Sequence, residues 1–149
     1  GMKTQLKEWI MSHEIKKDGK VLARYIKASE VWGGESLSFF SEDKEYIQAG
    51  SWNYNKGKKL LAHTHNEVER SVLFTQEVIF VKSGSLRALI YDDDTNLIEE
   101  FTAYENDLLI MLSGGHAYEI LEDKTQVLEI KNGPYLGAEI DRNRLNLDG

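Results

Sequence analysis

The chain has 149 residues, 41% apolar and 29% charged, a balance that suits one soluble globular domain with its own core. A formal charge of −7 with no basic stripe argues against a nucleic-acid partner and against anionic membrane surfaces. The absence of cysteine excludes disulfides, thiolate zinc sites and a cysteine nucleophile.

The N-terminus lacks a long apolar core followed by a small-residue cleavage site. The longest apolar run, Leu108 to Leu112, is far too short to span a bilayer. A cytoplasmic protein with no membrane partner is therefore expected. A short helix is expected around Thr4 to Met11. Lys17-Asp18-Gly19-Lys20 then reads as a hairpin turn leading into a strand from Val21 to Ile26, because Asp-Gly tolerates the positive φ that a two-residue turn requires. Tyr46, Ile47, Trp52 and Tyr54 suit a pleated surface over Glu45 to Tyr54. Gly57 and two lysines mark a turn before Leu60-Leu61-Ala62-His63.

Asn66 to Gln76 reads as a long polar loop. Glu77 to Val81 is β-branched and aromatic, and ends at the turn Lys82-Ser83-Gly84-Ser85. Strands are expected at Leu86 to Tyr91, Leu97 to Thr102, Leu108 to Leu112, Ala117 to Leu121 and Gln126 to Ile130. Their spacing of roughly 8–12 residues, with a turn between each, predicts an all-β sandwich or barrel. The tail from 133 to 149 reads as irregular.

Three of the four histidines, all but His13, fall into one pattern with a carboxylate: His63-Thr64-His65, Glu77 and His116. On a strand, residues i and i+2 share a face, so His63 and His65 project together as a two-nitrogen clamp. Taken alone, such a pair is more often simply solvent-facing. Glu77 opens a strand whose alternate residues Ile79 and Val81 line the interior, where a carboxylate needs a partner or a metal. Gly114 and Gly115 let the backbone turn and aim His116. Three nitrogens and one oxygen leave up to two open positions on an octahedral ion.

These residues resemble the two motifs of the cupin superfamily. The first reads Gly, five residues, His-x-His, three or four residues, Glu, six residues, Gly. Gly57, His63 and His65 match its front half, and Glu77 and Gly84 its back half, with eleven residues between His65 and Glu77. Glu69 has the usual spacing but lacks the following glycine. The second reads Gly, five residues, Pro-x-Gly, two residues, His. Asn106 stands at its first glycine, Leu112 at its proline, Gly114 matches, and His116 falls one residue early. The resemblance covers about residues 55 to 131. It implies an all-β, cupin-type double-stranded β-helix (a jelly-roll-like barrel), with added N-terminal strands over about 20 to 54. The whole chain, 1 to 149, would then form a single domain. It also implies one divalent metal (Fe, Mn, Ni or Zn) on His63, His65, Glu77 and His116, a small-molecule ligand or substrate, and a homodimer.

Thr75-Gln76-Glu77-Val78, Lys82-Ser83-Gly84 and Glu129-Ile130-Lys131-Asn132-Gly133-Pro134-Tyr135 are similar to short bacterial cupins often encoded near genes for cell-surface polysaccharide synthesis. That resemblance implies a sugar or sugar-nucleotide isomerase or epimerase. An iron-dependent dioxygenase on a chelating substrate and a non-catalytic small-ligand-binding barrel stay open, because ligands alone do not choose the metal. Arg70 is a candidate for gripping a phosphate or carboxylate, against a solvated arginine beside Glu67 and Glu69. Tyr118 is a candidate proton donor, against simple packing.

Overall fold

The computed structural model describes residues 14–147. The helix expected at Thr4 to Met11, and His13, lie outside the described residues. The described chain is all-β in character, with ten strands and two single-turn helices.

β1 (Glu14–Lys17) and β2 (Lys20–Ile26) form the expected hairpin, with Asp18 at φ 51° and Gly19 at φ 79°. α1 (Ala28–Val31) follows, then the short pair β3 (Leu37–Phe39) and β4 (Gly50–Trp52). After a long segment without secondary structure come β5 (Glu77–Ser83), β6 (Ser85–Tyr91), β7 (Leu97–Tyr104), β8 (Leu108–Met111), β9 (Gly115–Ile120) and β10 (Gln126–Lys131). The tail holds one turn of helix, α2 (Ala138–Asp141).

Two antiparallel sheets enclose the main core. One runs β1-β2-β8-β5-β10 and the other β7-β6-β9. Ile79 and Val81 from β5, Leu109 and Met111 from β8, and Leu86, Ala88 and Ile90 from β6 meet between them. The five-stranded sheet is covered on its other face as well. There Ile26, Val78 and Ile110 pack under Val31, Phe40 and Ile47. Burial on both faces explains why Leu108-Leu109-Ile110-Met111 is continuously apolar instead of alternating.

Arg24 ties this outer layer to the sheet. Its guanidinium grips Glu45 through two bonds of 2.9 Å, reaches Glu14 at 2.8 Å and donates to the Phe40 carbonyl at 2.8 Å. Burial alone would lower its pKa, but the two carboxylates outweigh that and raise it.

The expected strands from Leu86 onward are present to within two residues at each end. Three expectations change. Only Gly50–Trp52 of the 45–54 stretch is a strand, because Tyr46 and Ile47 instead present their backbone N–H groups to the buried Gln76 side chain at 2.8 and 3.2 Å. The sheets also do not close into a barrel among the described residues. β9 pairs only with β6 and β10 only with β5, so each leaves one edge open. Leu60 to His65 forms no strand, and residues 55 to 74 are exposed throughout. No helix among the described residues is long and apolar enough to cross a membrane.

Candidate functional site

Glu77 begins β5 on the face that continues into Ile79 and Val81, so its carboxylate enters the space between the sheets. Its side chain is only 8% exposed. His116 and Tyr118 alternate on β9 and face it from the opposite sheet. His116 Nε2 lies 3.1 Å from Glu77 Oε1, and the Tyr118 hydroxyl donates to the same oxygen at 3.2 Å. The two rings lie 5.3 Å apart.

Gly114 makes this aim possible. It holds φ 72°, and a Cβ there would come within 2.3 Å of the Tyr91 carbonyl oxygen. Any other residue would push β9 away from the end of β6.

Burial pushes the Glu77 pKa up, but hydrogen bonding and charge from His116, the Tyr118 hydroxyl and the charge of Lys131 together hold it below the ordinary carboxylate range. The Tyr118 hydroxyl is driven the other way, far above its usual value, by burial first and then by the neighbouring Glu77. It is thus a fixed hydrogen-bond donor at neutral pH. Lys131 lies opposite Glu77 in the β10–β5 register and is 3.5 Å from Glu129. The sequence reading passed over both. The signal was their i, i+2 spacing, which with Val127 puts two charged groups on the inward side of β10.

The remaining predicted residues lie on the exposed segment. The rings of His63 and His65 are 5.1 Å apart at 71° to each other. His63 Nδ1 contacts the Leu61 carbonyl at 2.9 Å; in the tautomer that donates there, Nε2 is left as the ligating nitrogen. Arg70 reaches the Val68 carbonyl at 3.5 Å, too long for a strong bond, and Arg70 and Glu69 are both exposed. The structure therefore assembles the predicted set as two pairs, Glu77 with His116 and His63 with His65. No group of three or more metal-capable side chains converges among the described residues.

Each pair suits a divalent ion chemically. One supplies an anionic oxygen and an imidazole nitrogen from opposing rigid strands, the other two imidazoles. Comparison with protein-family models, curated proteins and solved structures finds no match to this chain.

Proposed function

We propose that the chain is a cupin-type protein that binds one divalent metal ion through His63, His65, Glu77 and His116, and that it isomerises or epimerises a sugar or sugar nucleotide. The observation that supports this best is the buried Glu77 carboxylate facing His116 across the two sheets at 3.1 Å. A carboxylate aimed into an apolar interior needs charged partners or an ion.

The bound ion would serve as a Lewis acid that acidifies a C–H beside a substrate carbonyl. The chain's own groups have separate tasks. Glu77, held ionised, supplies the anionic oxygen. Tyr118, held protonated, orients that carboxylate by donating to Oε1. Lys131 balances its charge from the neighbouring strand. Ile79, Met111 and Ala88 wall the inner side with apolar surface and exclude water. Arg70, exposed on the segment between β4 and β5, has no assigned role.

The test is deuterium uptake from heavy water into keto-sugar nucleotides, followed by proton NMR. Exchange at a carbon next to the carbonyl, lost in Glu77→Gln, supports the reading. Metal-loaded protein that exchanges none of the keto-sugars tested contradicts the isomerase assignment.

A further inference from the structure

The segment between β4 and β5 is unlike the rest of the molecule. All twenty residues from 55 to 74 are exposed and none lies in a helix or strand. Structureless segments of that length are uncommon in a compact domain. This one is also not polar throughout: Leu60, Leu61, Val68, Val72, Leu73 and Phe74 all stand in solvent, Leu61 at 83% and Leu73 at 81% exposure. Six large apolar side chains on one exposed segment imply a surface that covers them.

Both ends of the segment are fastened. Asn53 donates to the carbonyls of Ser36 and Gly34 at 2.7 and 2.8 Å. At the other end Asn132 donates to the Phe74 carbonyl, Thr75 bonds to Asp141, and Gln76 bonds to Tyr46, Ile47, Leu112 and Asn132. Twenty extended residues span at most about 70 Å, so an arm fixed at both ends reaches roughly half that distance from the body.

The same chain presents a surface of matching kind. The outer edges of β9 and β10 are unpaired, which is a template for an added strand. Near them Ile120, Leu128 and Ile130 are exposed at 56%, 56% and 49%. The inward face of β9 carries His116 and Tyr118. A strand containing His63-Thr64-His65 laid along its free edge puts both histidines on that face in one of its two possible registers.

We propose that this arm is exchanged between two copies of the chain. Residues 55–74 of each would lie on the open β9 edge of the other and deliver His63 and His65 to the second copy's Glu77 and His116. The single chain favours exchange over closure onto its own edge, since residues 55–74 are all exposed and His63 and His65 do not meet Glu77 and His116, while the segment is anchored at both ends, with Phe74 packed on Tyr46 at 4.9 Å. The size also fits. Two arms of twenty residues and the edges they cover match the roughly 20–30 residues a side of a stable interface. Each metal site would then be built from two subunits. That last consequence rests on the metal-site reading above; the strand exchange does not.

The absence of cysteine allows a clean test. Thr64→Cys, between the two histidines of the arm, and Ala117→Cys, on the outward side of β9, are introduced into separate, differently tagged chains that are co-expressed and treated with a short bismaleimide. Exchange predicts a covalent dimer joining one chain of each kind. Reaction confined within single chains carrying both substitutions, or a monomer by light scattering at micromolar concentration, overturns it. Co-expression of His63→Ala with His116→Ala gives the second readout. Exchange with a shared site predicts up to one metal ion per mixed dimer and none in either variant alone. A crosslinked mixed dimer without metal leaves the exchange standing and removes the metal site.

Discussion

His116 on β9 and Glu77 on β5 meet at 3.1 Å across the gap between two sheets that share no ladder at that point. The contact brings together two of the four predicted ligands from different strands. Its consequences can be measured without any metal. The folded protein holds Glu77 below its ordinary pKa, so the contribution to stability is full above the unfolded value and is lost as pH falls through the folded one. His116→Ala removes the leading cause of that depression. It is expected to raise the Glu77 pKa and shrink the stability gained between acid and neutral pH. Urea denaturation at a series of pH values checks this; an unchanged pH profile would argue that Glu77 is held by Tyr118 and Lys131 alone.

Arg24 sits among three acceptors that become stranded when it is removed. Arg24→Ala is expected to destabilise the fold by about 3–5 kcal/mol, because Glu45 is left buried without its cation and Glu14 keeps only Lys16, at 3.4 Å. Arg24→Lys keeps the charge but not the two parallel bonds to Glu45, and should fall between. A loss under about 1 kcal/mol for the alanine variant, read from the urea midpoint, would show that the network contributes little.

The Tyr25 hydroxyl donates to Asp107 at 2.5 Å, and Asp107 also caps the backbone N–H groups of Ala28 and Tyr104 at 2.7 Å each. Burial first, then the Asp107 carboxylate, raises the Tyr25 pKa well above 10. A raised pKa means stability that is complete below about pH 10 and declines as pH rises beyond it. Of the seven tyrosines, Tyr25 and Tyr118 should stay silent in an ultraviolet titration until the protein unfolds. Seven ionisations with the circular dichroism intact would refute this.

Glu77 and Glu69 are the two candidate carboxylates for the proposed ion. Glu77 is enclosed between the sheets, whereas Glu69 is exposed on the arm. Glu77→Gln is expected to weaken metal binding by at least tenfold and Glu69→Gln to leave it nearly unchanged, as measured by titration calorimetry. The reverse order would move the carboxylate ligand onto the arm.

The parts of the molecule legible in the sequence are those governed by neighbours in the chain. Asp18-Gly19 announces its turn, and Val78 to Val81 its strand, through local geometry and burial. Glu77 could be placed inside because Ile79 and Val81 share its face. The strand expected at Leu60 to His65 failed for a different reason. Alternation says which side His63 and His65 share, but a strand also needs a partner edge, and that partner is not written in the segment. Arg24 was missed because its two carboxylates lie 10 and 21 residues away in the chain. Gln76 was assigned to a polar loop, yet its side chain is buried among backbone groups from Tyr46, Ile47 and Leu112.

The most direct test of the metal site is elemental analysis of the untagged protein purified without nickel or chelator. About one equivalent of iron, manganese, nickel or zinc per chain is expected, lost in both His63→Ala and His116→Ala while the fold is kept. Protein that carries no metal and takes up none of these ions, or that keeps its metal in both variants, contradicts it.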